Sequence, residues 1–349
     1  MNRIALLSVF FLLAISTFSQ IGGRGTYEFL NLNNSARSAS LGGKNIVIHD
    51  NDLNFTYHNP SLLSSEMSNH LVMNYVGYFA DIKYGYVSYA KSFGKVGNFA
   101  TGIHYINYGE FIEANEDGII TGNFKAAEYA LNLIWSKPID SLFTVGANLK
   151  PILSNLEEYK SYGLALDLGI TYHNPKNLLT AALVFKNIGT QIKPYYEGHY
   201  EPLPFEIQLG FSKKLSHAPF RISIIAQQLQ KIDLTYNKPE EKKQSSTFSN
   251  EYESKNQLEE YADKFMRHLI LGVEFIPFKN FYFNFGYNHQ RRKEMQIIDK
   301  LGFVGFSWGF GLKIKKFHIS YGRASYHLAG ASNHFSLSVN FSNFYKKRK

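Results

Sequence analysis

The stretch Phe335-Ser336-Leu337-Ser338-Val339-Asn340-Phe341-Ser342 alternates a large apolar residue with a small polar one. Successive side chains of a β-strand point to opposite faces, so this stretch predicts a strand with one wholly apolar face. The stretch 281–288 repeats the pattern, with Phe281, Phe283, Phe285 and Tyr287 on one face. A period of two, and not the period of a helix, therefore governs these segments.

The same alternation runs through residues 162–171 and 205–212. The faces opposite the apolar ones are rich in Gly, Ser, Asn and Gln, a composition that suits a wet or filled lumen. The predicted strands are about 11 to 14 residues long, above the five or six that are usual in soluble sheets. Both features favour a membrane barrel over a soluble sandwich, which could also produce the alternation.

Taken along the whole chain, the pattern predicts an all-β fold, a 14-stranded antiparallel transmembrane β-barrel over residues 69–345. An even strand number is what single-chain bacterial outer-membrane barrels require. The strands are predicted near 69–77, 81–93, 96–110, 124–137, 141–154, 158–173, 178–190, 204–215, 219–230, 266–276, 280–291, 301–313, 316–327 and 332–345.

The connections between these strands are predicted to alternate in length. Such barrels have short periplasmic turns and longer extracellular loops, so the alternation would orient the chain and place both barrel ends in the periplasm. Short turns are predicted at 93–95, 137–140, 173–177, 216–219, 277–280 and 313–316. Longer pieces are predicted around 113–123, 156–160, 191–204, 231–264, 292–300 and 328–332, with the hairpin near 77–81 as the one short exception.

Composition excludes several classes of protein. Aromatic residues make up 16% of the chain and apolar residues 44%, which rules out a disordered chain. The absence of Cys rules out a disulfide-stapled module, an iron–sulfur centre, a Cys-ligated zinc site, a thiol nucleophile and a lipoprotein anchor.

The first residues predict export. Arg3 precedes an apolar run from Ile4 to Ile15 and then a small and polar run, which is the order of a signal peptide, here residues 1–19 with cleavage near Ser19 or Gln20. The apolar run is too short for a membrane-spanning helix. At the other end, residues 346–349 are all basic and predict a solvated periplasmic tail and not a nucleic-acid site.

Residues 20–68 lack sustained alternation and predict an N-terminal plug inside the lumen. They contain a capped helical turn at 34–43, which Gly42 and Gly43 end, followed by turn-forming stretches at 50–54 and 57–63. A lumen of fourteen strands must be filled or it leaks, which favours placing this segment inside it.

The runs S-A-R-S-A-S-L-G-G (35–43) and D-N-D-L-N-F-T-Y-H-N-P-S-L-L (50–63) resemble the N-terminal pattern of FadL-like outer-membrane barrels. With the opening I-G-G-R-G-T-Y-E-F-L-N-L (21–32), the chain is similar more narrowly to the PorQ family of the type IX secretion system. That resemblance implies a non-enzymatic component of the protein secretion and surface-attachment machinery in the cell outer membrane of a Gram-negative bacterium. It implies as partners a PorZ-like surface protein, other members of the attachment complex, and outer-membrane lipid and lipopolysaccharide.

No catalytic, cofactor or metal site is predicted. Gly305-Phe306-Ser307-Trp308-Gly309 matches the nucleophile-elbow motif of hydrolases, but that motif needs a strand-to-helix turn and Ser307 falls within a predicted strand. Among the histidines, His104, His268, His318 and His334 occur singly within strands, as lumen or rim residues do.

The loops are therefore the predicted functional region. Loop 231–264 closes with Leu258, Tyr261, Phe265 and Leu269 at helical spacing, so part of it predicts an amphipathic helix that is either a lid or a docking surface. Candidate partner-docking residues are Tyr195, Tyr196, Tyr200, Tyr236, Phe248, Tyr252, Arg291 and Arg292. The alternative function is a FadL-like passive channel for hydrophobic small molecules, which would need an apolar pocket and a lateral exit, for which Pro151 marks an interrupted strand.

Overall fold

The computed structural model describes residues 25–79, 82–235, 257–295, 302–327 and 330–344. Fourteen antiparallel strands form one closed barrel, in which each strand pairs with its neighbours in sequence and β14 returns to β1. The strands are His70–Gly77 (β1), Lys83–Ser92 (β2), Asn98–Ala114 (β3), Ile120–Pro138 (β4), Phe143–Leu156 (β5), Tyr159–Asn174 (β6), Leu179–Lys193 (β7), Glu206–Lys214 (β8), Phe220–Ala226 (β9), Leu269–Phe278 (β10), Phe281–Asn288 (β11), Phe306–Ile314 (β12), Phe317–His327 (β13) and Gly330–Asn340 (β14).

Each predicted strand corresponds to one strand of the structure, so the prediction of a closed barrel of fourteen antiparallel strands is confirmed. Strand ends differ from the prediction by up to five residues, and β14 ends at Asn340 and not near 345. Strand β9 ends at Ala226 and not near 230, and β12 begins at Phe306 and not near 301. Strand β11 ends at Asn288 because a helix follows it directly.

The predicted strict alternation of loop length is wrong. Strand β3 extends to Ala114 and β4 begins at Ile120, so only a short turn separates them. Residues 157–158 alone separate β5 from β6, and residues 328–329 alone separate β13 from β14. In each of these hairpins the backbone N–H and C=O groups of the two strands bond to each other. The strands can therefore continue where loops were expected. The three long connections, 194–205, 227–268 and 289–305, nevertheless leave the barrel at the same end, called the loop end below; the opposite end is the turn end.

The outer surface of the barrel is apolar. On β12, the outward Phe306, Trp308, Phe310 and Leu312 are 39–45% exposed, whereas the inward Ser307 is buried. The same alternation of exposed and buried residues occurs on most of the strands. Since closure leaves no unpaired strand edge, such a band is compatible with lipid on all sides, and the chain forms a transmembrane β-barrel of the outer-membrane type. In the described residues, no helix has the length and apolarity to cross a membrane.

The described residues form three α-helices, of which one precedes the barrel and two lie at its loop end. Helix α1 (Ala36–Ser40) is capped by Ser35, whose side chain accepts a hydrogen bond from Ser38 N, and Gly42 follows it with a φ of 96°. The predicted capped helical turn is therefore present. At the loop end, α2 (Gln257–Arg267) precedes β10 and α3 (His289–Met295) follows β11.

Candidate functional site

Residues 25–69, called the inner segment, lie inside the barrel and contact its wall on several sides. Helix α1 packs against β11, β12, β13 and β14, and the turn 60–62 packs against β4, β5 and β6. Inward-facing glycines allow this approach: a Cβ added at Gly286 would lie 2.1 Å from Gly42 N, and one at Gly322 would lie 2.2 Å from Ala36 O. The backbone of the inner segment therefore touches the backbone of the wall without an intervening side chain.

The inner segment also contributes to each apolar cluster of the described interior. Its buried side chains pack in several clusters with inward residues of the strands, so apolar area is removed from water inside a lumen whose wall is mostly polar. The buried apolar residues that the segment contributes to these clusters are Tyr27, Phe29, Leu30, Leu41, Ile46, Val47, Ile48, Leu53, Phe55, Tyr57, Leu62, Leu63 and Met67.

Arg37 of α1 ties the inner segment to the wall through a buried ion-pair network. Its guanidinium nitrogens lie 2.7 Å from Asp50 Oδ2, 3.2 Å from Asp52 Oδ2 and 2.9 Å from Glu274 Oε1 of β10. Arg221 of β9 bonds the same Asp50 and Glu274, at 3.1 and 2.9 Å. Two cations thus share three carboxylates, which is the arrangement that a buried charge requires.

A second buried charge pair lies on the wall itself. Lys150 Nζ is 2.6 Å from Asp167 Oδ2, with both side chains fully buried, and 2.8 Å from Asn187 Oδ1. Strand β5 continues through Pro151, but its pairing with β4 is missing between the pairs Ala130–Ile152 and Leu133–Leu149. The interruption expected at Pro151 is therefore present on one side of the strand, and the lumen behind it is charged.

Three of the cavities formed by the described residues bear on the site. One, of about 580 Å³, opens at the turn end and is lined mainly by polar and charged side chains. The other two, of about 540 and 430 Å³, are apolar grooves lined largely by outward-facing residues, on β2 to β5 and on β10 to β12. These two grooves face lipid, whereas the charged cavity belongs to the lumen.

At the loop end, Asp263 holds α2 against α3. Its carboxylate lies 2.9 Å from Arg267 Nε on α2, and 3.0 and 3.2 Å from His289 Nε2 and Lys293 Nζ on α3. Partial burial alone would raise the pKa of Asp263, but hydrogen bonds from these three partners hold the pKa well below its ordinary value. The carboxylate is therefore charged at neutral pH and fixes a defined surface.

The opposite face of α2 is apolar and open to solvent. Leu258, Tyr261 and Phe265 are 80%, 70% and 64% exposed in the part of the chain that the structure describes. Their helical spacing did predict the helix, but that spacing was equally compatible with a lid packed on the barrel mouth. Neither Asp263 nor this exposed face was among the candidate site residues, because the helical spacing does not show which face is open.

The predicted docking residues separate into three groups. Tyr196 and Tyr200 are exposed in loop 194–205, at 57% and 62%. Tyr195 faces inward, where its hydroxyl donates to Ser154 Oγ at 2.6 Å and burial raises its pKa to about 12. Tyr236, Phe248 and Tyr252 lie outside the described residues.

The two arginines among the candidates make internal contacts. Arg291 donates to Gly42 O of the inner segment, and Arg292 donates to Gly302 O and Val304 O while its guanidinium lies over the Phe306 ring. Tyr195, Arg291 and Arg292 are therefore only partly exposed, and their docking role stays a prediction.

Ser307 lies within β12, with its Oγ 3.1 Å from both Ser40 O and Gly42 N. It therefore has no strand-to-helix turn around it, and it anchors the inner segment. His104 is hydrogen-bonded to the Tyr57 hydroxyl at 2.9 Å, as expected of a lumen histidine. Among the described residues, no group of three or more His, Cys, Asp or Glu side chains could hold a metal ion.

No protein-family model matches this chain, and no curated protein matches it. Solved structures do. The toluene transporter TodX of Pseudomonas putida shares 12% identity, with a TM-score of 0.50 over 89% of this chain and 99% of that chain. The toluene transporter TbuX of Ralstonia pickettii shares 12% identity with a TM-score of 0.49 over 88% and 98%, and a Pseudomonas aeruginosa FadL homologue shares 9% with a TM-score of 0.46 over 88% and 98%. At these identities the likeness to TodX shows the fold alone.

Proposed function

We propose that this chain is a non-enzymatic outer-membrane barrel of a Gram-negative bacterium that anchors a surface protein through its loop end. As the resemblance to the PorQ family implies, it would belong to the type IX secretion and surface-attachment machinery. Its partner would then be a PorZ-like surface protein, together with other members of the attachment complex and the lipopolysaccharide around the barrel.

Anchoring over transport is supported most strongly by the contacts of the inner segment with the barrel wall. The inner segment contacts the wall backbone-to-backbone, and the polar interior around it contains the buried Lys150–Asp167 pair and the Arg37 network. An apolar solute that crossed this interior would have to pass desolvated charges without compensating them, which is unfavourable. We therefore assign the inner segment the role of a plug.

The second candidate is a passive channel for hydrophobic molecules. It is favoured by the missing β4–β5 pairs beside Pro151 and by the apolar groove on the outer wall of β2 to β5. The toluene transporters that share the fold are named for such a function. The side chains behind the missing pairs weigh against it, because Lys150, Asp167 and Lys186 are all fully or almost fully buried there.

The apolar face of α2 is the best-formed docking surface at the loop end. Large exposed side chains on a fixed scaffold lose little conformational entropy when they are covered, and aromatic anchors of this kind dominate protein interfaces. Asp263 provides the fixed scaffold, and Tyr196 and Tyr200 present further exposed rings on a second loop.

The triple substitution Leu258→Ser, Tyr261→Ser and Phe265→Ser tests this proposal. Each interface anchor contributes more than about 1 kcal/mol, so the fraction of the surface protein released from cells to the medium should rise at least about tenfold. Quantitative mass spectrometry of cells and medium measures that fraction. Glu259→Gln is the matched control, because it lies on the same helix, is exposed and should leave retention unchanged.

Full retention of the surface protein by the triple variant, with a normal amount of barrel in the outer membrane, would exclude the α2 face as the docking surface. Replacement of residues 237–263 by a Gly-Ser linker would then distinguish docking by another part of this loop from docking by a different loop. Retention even by that variant would contradict docking through this loop.

A further inference from the structure

The cavity at the turn end, called the vestibule, is strongly basic. Its lining includes six basic side chains, Arg37, Lys214, Arg221, Lys279, Lys313 and Lys316, and three acidic ones, Asp50, Asp52 and Glu66. Its volume of about 580 Å³ is that of a few amino-acid residues and far exceeds that of a water molecule.

The floor of the vestibule holds two cations, Arg37 and Arg221, against the three carboxylates Asp50, Asp52 and Glu274. Among the described residues, the four lysines of the vestibule form no ion pair within 4.0 Å, although Lys316 Nζ lies 4.2 Å from the centroid of the Phe344 ring. These lysines outnumber Glu66 and the one excess carboxylate of the floor, so the net charge of the vestibule is positive.

The register of the strands brings two cations together here. Lys214 of β8 lies directly opposite Arg221 of β9, and both side chains line the vestibule. Like charges that lie directly opposite each other across a strand pair repel, and an anion bound beside Lys214 would reduce this repulsion.

The direction of these side chains limits what the anion can be. Lys214 and Lys313 continue the inward-facing series that Ser212 and Gly311 belong to, so they point into the mouth of the barrel. Lipid headgroups surround the outside of the barrel and do not reach this position. A polypeptide that enters the mouth from the periplasm does.

We propose that the vestibule docks an acidic segment of a periplasmic protein. Several carboxylates of one extended segment would compensate the lysines together, and the net positive charge of the mouth also steers such a segment towards it. The proposal rests on the orientation proposed above, with the loop end at the cell surface, but not on which protein docks there.

The test is binding of a fluorescein-labelled oligoglutamate peptide to the purified full-length barrel, followed by fluorescence anisotropy in detergent. The triple variant Lys214→Gln, Lys313→Gln and Lys316→Gln should bind at least about tenfold more weakly than the unaltered protein at about 0.1 M salt. The control Lys83→Gln, Lys125→Gln and Lys160→Gln removes the same charge from exposed lysines near the loop end and should change binding less than about twofold. A difference in gel mobility between heated and unheated samples verifies that both variants are folded barrels.

Three results would overturn the proposal. The first is an equal loss of binding in both triple variants, which would show an effect of net charge alone. The second is an absence of peptide binding to the unaltered protein. The third is complete displacement of the peptide by inorganic phosphate at about 1 mM, which would identify a site for a small anion instead.

Discussion

Gly286→Val is expected to turn the closed barrel into a leaky one. A Cβ at this position would lie 2.1 Å from Gly42 N and 2.4 Å from Leu41 C, which are backbone atoms that no change of rotamer can move away. Overpacking of this kind costs about 3 kcal/mol, which corresponds to about a hundredfold increase in the fraction of barrels with a displaced inner segment. Ion conductance in planar bilayers and tryptic cleavage after Arg37 or Lys44 both measure that fraction.

Gly77→Val is the matched control for this substitution. Gly77 ends β1, and a Cβ there would meet no atom within 4 Å. The control should therefore conduct no better than the unaltered protein. If Gly286→Val gave the same low conductance and the same protease resistance as Gly77→Val, the proposed role of the inner segment as a plug would be contradicted.

Arg37→Met is expected to weaken the attachment of the inner segment by about 3 to 5 kcal/mol, the usual cost of breaking a buried ion pair from one side. Methionine retains much of the packing between Phe55 and Tyr282, whose rings lie 5.1 and 4.6 Å from the guanidinium carbon. The loss would therefore come from the three carboxylates Asp50, Asp52 and Glu274, which then share Arg221 as the one remaining cation of the network. Protection of residues 25–69 from trypsin, measured against urea concentration, reports it.

The double variant Arg37→Met with Glu274→Gln separates charge from packing. Without Arg37, Arg221 is the one cation of the network beside Asp50, Asp52 and Glu274. Removing the charge of Glu274 leaves two carboxylates there instead of three, so it should restore part of the protection that Arg37→Met alone has lost. If the protection lost by the double variant equals the sum of the losses caused by Arg37→Met and Glu274→Gln separately, the two side chains do not interact.

The strands of this barrel could be predicted from sequence because the membrane imposes a simple rule on them. Outward positions that contact lipid are mostly apolar, so residues such as Phe283, Phe310 and Leu337 reveal the period of two directly. The rule ends where the lipid ends. Residues 113–123 were expected to be loop, yet β3 and β4 continue there as a hairpin that only backbone pairing marks.

The contacts of the site were less accessible from sequence. The capped turn at Ser35 and the glycines after it could be recognised, since capping depends on neighbours in the chain. The bond from Arg37 to Glu274 joins residues that are 237 positions apart, and nothing local to either residue indicates it. For the same reason Arg291 was taken as a surface residue, although it reaches Gly42 O inside the mouth.

Purification of the unaltered barrel from detergent-solubilised outer membrane, with mass spectrometry of both proteins and lipids, tests the proposed function most directly. We expect a surface protein in a one-to-one ratio with the barrel, which the Leu258→Ser, Tyr261→Ser and Phe265→Ser variant loses. We expect no fatty acid or hydrocarbon at that ratio. A monomeric barrel that carries one such apolar molecule in its lumen, and no surface protein, would contradict anchoring and support the channel.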